Sequence, residues 1–185
     1  MPIGCCSCVP LVAARLAAQR PATVLDLGIG MGFYGAVVRQ WLDSGVRPWA
    51  TTLVGVEGWE GYRNPAWDLY DRVIVRAIEE FLSERPAGWW DAVMLLDVIE
   101  HFPLPVGDGI IELAFDATAP GGQLIIATPA VWMEQGAVYG NEYERHRSLW
   151  TPEMFTAQGF EIVTDGSPDH VGNQMILAIK HRPVS

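Results

Sequence analysis

The sequence has few cysteines, and their placement limits what they can do. Cys5, Cys6 and Cys8 are the only ones among 185 residues, and no second Cys or His pair at zinc-like spacing lies near them. This arrangement argues against a structural zinc site. We interpret the three as reduced thiols, with a soft-metal or redox role for the cluster as the alternative.

Basic residues are scarce as well. The chain carries 12 Lys and Arg against 22 Asp and Glu, which gives a formal net charge of −10. Affinity for nucleic acid rests largely on basic contacts to phosphate groups, so a nucleic-acid substrate is disfavoured. A small-molecule substrate is the expectation that remains.

Long apolar runs, internal repeats and linkers are also missing. No apolar stretch reaches the roughly 18 residues that span a bilayer, and the N-terminus lacks the basic start and long apolar centre of a signal peptide. We therefore expect no membrane association and a cytoplasmic location. Because half of the residues are hydrophobic, residues 1–185 are expected to form one domain. Nothing indicates an oligomeric state.

The most informative stretch is a glycine-rich loop between two regular elements. Residues 23–27 are typical of a buried strand, and three alternate glycines follow at Gly28, Gly30 and Gly32. From Phe33 the apolar residues recur at helical spacing, with Trp41 on the predicted buried face. Glycine accepts positive φ and lets a ligand approach the backbone, so the pattern predicts strand, tight loop and helix around a polar ligand.

Spacing alone leaves two cofactor classes open for this loop. Gly30, Gly32 and Gly35 match the G-x-G-x-x-G dinucleotide pattern, whereas Gly28, Gly30 and Gly32 match G-x-G-x-G behind an acid, Asp26. A carboxylate at the loop would repel a pyrophosphate, but it suits a ligand with ammonium and sulfonium charges. Residues 26–32 resemble motif I of the class I S-adenosylmethionine-dependent methyltransferases. A tight turn without a ligand is the structural alternative.

The remaining elements alternate between strand and helix. Strands are predicted over residues 51–56, 72–76, 91–97 and 123–128, and helices over 10–19, 77–82, 106–117 and 152–158. Two final strands, 160–164 and 174–180, are joined by too few residues for a crossover helix and should pair antiparallel. The pattern predicts an α/β three-layer sandwich, and the resemblance implies a Rossmann-like, seven-stranded, mostly parallel sheet with an antiparallel last strand.

The resemblance implies further cofactor-binding residues. Glu57 follows the second strand, 25 residues after Gly32, where an acid can accept hydrogen bonds from ribose hydroxyls; a solvated turn residue is the alternative. After the third strand the family often has an acid or amide for the adenine amino group, but here Arg76 stands there. Backbone groups of Ala77 and packing by Ile78 are the expected substitutes.

A second motif follows the fourth strand. Residues 97–101 read Asp-Val-Ile-Glu-His, similar to the D-V-x-E-H segment of small-molecule methyltransferases of this class. The resemblance implies that Asp97 faces the methyl-donor end of the cofactor. His101 has a side chain that can take a proton near neutral pH, so it is a candidate base; capping of the next helix by Glu100 and His101 is the alternative.

The same residues raise the question of a metal. A divalent ion could be bound by Asp97, Glu100, His101 and a distant His146. Similar ligand sets occur in some methyltransferases that the sequence resembles, in which the metal binds substrate hydroxyls. The letters D-V-x-E-H are also widespread in relatives without a metal. A metal is therefore admitted as an alternative and not favoured.

Residues 129–150 form the longest irregular stretch and resemble the acceptor-binding segment after the fifth strand of these enzymes. Tyr143 and Trp150 supply flat apolar walls, and Tyr143 and His146 are further catalytic candidates. Alternatively these side chains only pin a long loop onto the sheet. The resemblance covers about residues 20–180, and an N-terminal helical cap over residues 1–20 is expected to cover one side of the pocket.

Together these features predict an S-adenosylmethionine-dependent methyltransferase that acts on a small organic acceptor and produces S-adenosylhomocysteine. Two rivals remain open. One is an NAD(P)-dependent oxidoreductase, and the other is a non-catalytic protein that retains the fold and binds a cofactor or a partner.

Overall fold

The computed structural model describes residues 6–84, 88–168 and 174–184. Seven strands form one sheet in the order β3-β2-β1-β4-β5-β7-β6. Of these strands, β7 runs antiparallel to both of its neighbours, and the other pairings are parallel. The bounds are β1 Thr23–Leu27, β2 Thr52–Glu57, β3 Arg72–Val75, β4 Trp90–Leu96, β5 Thr118–Pro129, β6 Glu161–Asp165 and β7 Met175–His181. The predicted fold class is confirmed.

Helices cover both faces of the sheet and make it the middle layer of a sandwich. Residues of α1 and α2 share one buried cluster with alternate strand residues such as Met94 and Ile125. Residues of α3, α4 and α5 share a second cluster with the intervening strand residues, such as Val93 and Leu124. The helices are α1 Val9–Gln19, α2 Phe33–Leu42, α3 Ile78–Ser83, α4 Leu104–Ala117 and α5 Pro152–Ala157.

The structure corrects two local predictions. Helix α2 turns Tyr34, Val37 and Val38 into the core, so Trp41, predicted on the buried face, is 49% exposed. The fifth strand, predicted over residues 123–128, is longer: β5 runs from Thr118 to Pro129 and shifts its register against β4. Strand β5 pairs with β4 at Thr118 and again from Gln123 to Ala127, so residues 119–122 lie at the shift in register.

Two predicted connections fall partly outside the described residues. One joins the helix predicted over residues 77–82 to the strand predicted over 91–97, and its residues 85–87 are not described; the other joins the two final strands, and its residues 169–173 are not described. None of the described helices is long and apolar enough to cross a membrane.

Candidate active site

The carboxyl ends of the parallel strands open into a cavity of about 770 Å³. Ligand sites in open α/β sheets lie at this edge, where the strand order reverses, and here the reversal falls between β1 and β4. Every predicted site residue except Gly32 and Trp150 lines the cavity: Asp26, Gly28, Gly30, Glu57, Ala77, Ile78, Asp97, Glu100, His101, Tyr143 and His146. The fold therefore brings together residues that lie up to 120 positions apart in the chain.

Gly28 fits closely against the segment that follows β4. Its φ is +79°, and a Cβ atom there would lie 2.5 Å from Cγ2 of Val98. The Gly28 N–H donates to the Val56 carbonyl at 2.8 Å. A side chain at this position would strain the backbone and push Val98 away, so the loop requires glycine.

Gly30 is held from both sides by side chains that come from other elements. Its N–H donates to Oε2 of Glu57 at 2.8 Å, and its carbonyl accepts from Nε1 of Trp67 at 2.8 Å. Asn64 adds a hydrogen bond from Nδ2 to the Met31 carbonyl at 3.0 Å. We call residues 59–70 the bracing segment, because it fixes the glycine loop from outside the sheet.

Gly32 has a different part in the loop. Its φ is +82°, it precedes α2, and a Cβ atom there would meet Trp67 and Ala66 of the bracing segment at 3.2 to 3.4 Å. It does not line the cavity. Sequence reasoning missed the bracing segment, although Asn64 before Pro65 is a helix-capping signal and the Asn64 side chain does accept from the Ala66 N–H.

The Asp26 carboxyl lies beneath the glycine loop and is 2% exposed. Its Oδ2 accepts a hydrogen bond from the Tyr70 hydroxyl at 2.7 Å. Burial raises the pKa of Asp26 to about 7; the Tyr70 bond opposes the rise and the charge of Glu57 adds to it. Asp26 therefore titrates near neutral pH, and a cation brought beside it would favour its ionised form.

Glu57 ends β2 and connects the glycine loop with the bracing segment. Besides the Gly30 bond, its Oε1 accepts from the Trp59 N–H at 2.9 Å. Burial raises the pKa of Glu57, and its hydrogen bonds to backbone amides counteract the rise. Each carboxylate oxygen has a second lone pair, so the group can still accept hydrogen bonds from a ligand in the cavity.

Ala77 and Ile78 line the cavity at the start of α3, as the resemblance implies. The Arg76 guanidinium does not reach it, because it pairs with both oxygens of Glu84 at 2.6 and 2.9 Å. At Ala77 and Ile78 the wall is therefore backbone and apolar side chain, and the next residue in the lining is Glu79. The surface at Ala77 and Ile78 can pack against a flat ring.

Asp97 begins the turn after β4 with a left-handed backbone, at φ +56°. Its N–H donates to the Ala127 carbonyl at 2.9 Å. Few residues other than glycine adopt this conformation, although Asp is among those that tolerate it. The turn directs Val98 onto Gly28 and starts the short 3-10 helix Ile99–His101.

Glu100 is 3% exposed and ties that turn to the loop after β5. Its Oε2 accepts from the Thr128 hydroxyl at 2.9 Å, and its backbone carbonyl accepts from the N–H groups of Arg147 and Ser148. Burial raises the pKa of Glu100 well above its usual value, and the charge of Asp97 acts in the same direction. Helix capping was the alternative role, but no side-chain cap bond precedes α4.

His101 and His146 face each other across the cavity, with ring centroids 5.0 Å apart. Nδ1 of His146 lies 2.8 Å from the Met133 carbonyl and must donate to it, since a carbonyl only accepts. In the neutral ring, Nε2 then carries the lone pair. Burial lowers the pKa of His101 to about 4, and the His146 ring also lowers it, so His101 is neutral at pH 7.

Three of the four candidate metal ligands come together. The ligand atoms of Glu100, His101 and His146 all lie within 4.8 Å of one another, whereas Asp97 does not belong to this group. One carboxylate and two imidazoles suit several divalent ions, so the chemistry of the donor set fits a metal. The fit rests on three ligands.

Two aromatic residues of the predicted acceptor segment lie in different environments. Tyr143 is 47% exposed, lines the cavity and lies against Gly58. Trp150 is fully buried, donates from Nε1 to Oγ of Ser148 at 2.9 Å and stacks on Phe155. Trp150 therefore pins the loop to the core, as the structural alternative proposed.

The N-terminal residues contribute little to the cavity. Cys6 lines it and is exposed, whereas Cys8 is buried beside α1; neither forms a disulfide among the described residues. Cys5 lies outside the described residues. The expected cap over residues 1–20 therefore reaches the cavity through Cys6 among its described residues.

Solved structures resemble this chain, although no protein-family model and no curated protein matches it. A SAM-dependent methyltransferase from Archaeoglobus fulgidus is 16% identical, with a TM-score of 0.62 and 94% of each chain covered. An O-methyltransferase family protein from Burkholderia thailandensis is 18% identical, with a TM-score of 0.68; the match covers 97% of this chain and 56% of that protein.

A third structure contains ligands. It is the 1,6-didemethyltoxoflavin-N1-methyltransferase of Burkholderia thailandensis with bound 1,6-didemethyltoxoflavin and S-adenosylhomocysteine. It is 18% identical, with a TM-score of 0.65, and the match covers 96% of this chain and 79% of that one. At such identities the likeness shows the fold, which is the fold of SAM-dependent methyltransferases.

Proposed function

We propose that this protein transfers a methyl group from S-adenosylmethionine to a small organic acceptor. The observation that carries the proposal is the pairing of two different groups of residues in one cavity. A braced glycine loop with Asp26 and Glu57 stands at the ends of β1 and β2, and His101 and His146 stand opposite. The first group suits a sulfonium nucleoside, and the second suits removal of a proton from an acceptor.

In this proposal the cofactor lies along the carboxyl ends of the strands. Asp26 stabilises the ammonium group at the amino-acid end of the ligand, and the backbones of Gly28 and Gly30 lie against that end. The Glu57 carboxylate accepts hydrogen bonds from the ribose hydroxyls, using the lone pairs that its hydrogen bonds to backbone N–H groups leave free. Ala77 and Ile78 pack against the adenine ring, and Asp97 lies toward the sulfonium.

Methyl transfer is an in-line displacement in which positioning lowers most of the barrier. The acceptor atom forms a bond to the methyl carbon as the bond from that carbon to sulfur breaks. The electron pair of the broken bond stays on sulfur, which becomes the thioether of S-adenosylhomocysteine. A base is needed where the acceptor loses a proton, and in this proposal Nε2 of His146 takes it, since Nδ1 is engaged with the Met133 carbonyl.

His101 and Tyr143 support the acceptor in this proposal. Since His101 is neutral at pH 7, it can accept a hydrogen bond from the acceptor, but its pKa of about 4 makes it a weak base. Tyr143 supplies part of the apolar wall. The small-molecule acceptor is preferred to nucleic acid because the net charge is −10. The cytoplasmic location stays a prediction from the sequence.

A metal-assisted version of the same reaction is the second candidate, favoured by the proximity of Glu100, His101 and His146. These three residues would hold a divalent ion. When bound, the ion would lower the pKa of an acceptor hydroxyl and so replace a protein base. Asp97, which lies outside the group, would stay with the cofactor.

Calorimetric titration with S-adenosylhomocysteine and, separately, with NAD tests the proposal. We expect S-adenosylhomocysteine to bind in the micromolar range and NAD to give no heat of binding. Binding of NAD without binding of S-adenosylhomocysteine would support the oxidoreductase instead. Binding of neither ligand would reject the proposal.

A further inference from the structure

Tyr70 is bonded to a residue of the cofactor side without lining the cavity itself. Its hydroxyl donates to Oδ2 of Asp26 at 2.7 Å, and both side chains are buried. Asp26 lines the cavity, whereas Tyr70 is not among the described residues of the lining. Any influence of Tyr70 on a ligand therefore passes through the Asp26 carboxyl.

Two glycines make room for the Tyr70 ring. A Cβ atom on Gly35 would lie 2.5 Å from Cε2 of Tyr70, and one on Gly55 would lie 2.9 Å from Cδ1. Gly55 of β2 is paired in register with Asp26 of β1, so its missing side chain leaves space on the sheet beside the carboxyl. Gly35 matches the dinucleotide pattern by spacing, but in the fold it accommodates the Tyr70 ring.

The backbone on either side of Tyr70 is also held in place. Nε of Arg39 donates to the Leu69 carbonyl at 2.8 Å, and Nη2 of Arg39 pairs with Oδ2 of Asp71 at 2.9 Å. Asp71 is further bonded to Leu53 of β2, whose N–H donates to the Asp71 carboxylate and whose carbonyl accepts from the Asp71 N–H. The position of the Tyr70 hydroxyl is therefore fixed by contacts from α2 and β2.

The hydrogen bond between Tyr70 and Asp26 has one direction. A carboxylate only accepts, and burial together with the Asp26 charge raises the pKa of Tyr70 well above its usual value, so the hydroxyl keeps its proton. Two further charged groups face the pair: Glu57, whose charge adds to the effect of burial on Asp26, and Arg39, whose charge acts on Tyr70. The Tyr70 hydroxyl thus opposes burial, which disfavours the charged form of Asp26.

The proposed cofactor requires that charged form. Burial raises the pKa of Asp26 to about 7, so about half of the molecules carry a neutral carboxyl at that pH without a ligand. The ammonium group of the cofactor binds the ionised carboxylate, and a neutral carboxyl releases its proton to solvent as the ligand binds. Affinity should therefore rise with pH up to about 7 and level off above it.

We propose that Tyr70 is a positioning residue for S-adenosylmethionine, which holds the Asp26 carboxyl in the orientation and the ionised form that bind the ammonium group of the cofactor. The inference rests on the proposed function and adds to its cofactor site a residue outside the cavity. The space beside Gly35 and Gly55 fixes the ring, and the hydroxyl stabilises the charge. Removing the hydroxyl leaves this space filled and takes away the donor alone.

Calorimetric titration of Tyr70→Phe with S-adenosylhomocysteine at several pH values tests this inference. We expect the variant to bind about ten-fold more weakly than wild type at pH 6, because a hydrogen bond to a charged group is worth about that factor. The difference should fall below about three-fold at pH 8.5, where Asp26 is largely ionised in both proteins. A merely structural role of Tyr70 would weaken binding by the same factor at every pH.

Tyr62→Phe is the matched control. Tyr62 belongs to the same bracing segment and is also buried, and its hydroxyl donates to a carboxylate at 2.7 Å as well, but to that of Glu144. It is not among the described residues of the cavity lining. This variant should bind S-adenosylhomocysteine with the pH dependence of wild type.

Thermal unfolding without a ligand reports on Asp26 separately from the proposed function. The pKa of Asp26 in the folded protein lies above its ordinary value, so its contribution to stability falls as pH rises and becomes constant once the folded-state pKa is passed. Loss of the Tyr70 hydroxyl raises that folded-state pKa further. Tyr70→Phe should therefore go on losing melting temperature relative to wild type between pH 7 and pH 8.5.

Each outcome decides one question. A loss of binding in Tyr70→Phe that does not change with pH, an equal loss in Tyr62→Phe, or the same pH dependence of melting in Tyr70→Phe and wild type would overturn the inference. Absence of S-adenosylhomocysteine binding by wild type would instead overturn the proposed function. The melting temperatures would still show whether Tyr70 stabilises the ionised Asp26.

Discussion

The two halves of the cavity are built in different ways. On the cofactor side, Gly30 and Asp26 are held by hydrogen bonds from residues far away in the sequence. Gly30 is hydrogen-bonded to the side chains of Glu57 and Trp67, and Asp26 to the Tyr70 hydroxyl. On the acceptor side, residues 130–150 contain no strand and no α-helix, and large apolar side chains of this loop are exposed, including Trp132 and Met133.

The difference separates two tasks. A cofactor of constant shape is served best by a preorganised site on regular elements, and the bracing segment supplies that rigidity. Acceptor recognition is left to a loop that can vary without disturbing the sheet. Arg147 and Glu100 connect the halves, because the backbone N–H of Arg147 donates to the Glu100 carbonyl at 2.8 Å.

The largest expected effect comes from filling the space at Gly28. We expect Gly28→Ala to weaken S-adenosylhomocysteine binding by at least about 100-fold, since a left-handed alanine costs about 1–2 kcal/mol and its Cβ would also collide with Val98. Gly45→Ala is the matched control, because Gly45 has a similar φ of +77° with no atom within 4 Å of the added Cβ. It should lose stability and retain binding. Equal binding by both variants would show that the loop is not braced as described.

A second, smaller effect concerns the thermal stability that the protein loses when the buried Asp26 carboxyl ionises. Because its pKa in the folded protein is raised from 3.8 to about 7, the stability that its protonation provides is present at low pH and is lost as pH rises through about 7. Asp26→Asn keeps a hydrogen-bond acceptor for Tyr70 without titrating. Its melting temperature should exceed that of wild type by about 10 °C at pH 8 and by about half as much at pH 5.5, measured by thermal unfolding. An advantage that is independent of pH would contradict the assignment.

The smallest expected effect is that of added metal ions. A tightly bound metal would make the acceptor side as rigid as the cofactor side, so weak metal binding would support the contrast between the two halves. We expect titration with Mn²⁺ or Zn²⁺ to give binding no tighter than about 0.1 mM. Of the three ligands that converge among the described residues, Glu100 has a pKa that burial raises well above its usual value, and a metal ligand must be deprotonated to bind. Stoichiometric micromolar binding that His146→Ala abolishes would establish the metal-assisted reaction instead.

The sequence was informative where a single element determines the outcome. Continuous apolar runs located β1, β2 and β4 because strands buried on both faces require them. The sequence was less informative where the position of a residue depends on contacts between different elements. Gly32 was assigned to the cofactor from spacing, yet it packs against Trp67, a contact that depends on a bracing segment 35 residues further along the chain. Likewise, burial of Glu100 and the orientation of His146 depend on β5 and the loop after it.

Comparing two variants in one binding experiment tests the division between the halves most directly. Calorimetric titration with S-adenosylhomocysteine should show binding weakened by at least about 100-fold in Asp26→Ala and changed by less than about three-fold in His146→Ala. That result would place the cofactor on the glycine-loop side and leave His146 to the acceptor. Equal binding by the two variants would contradict the account.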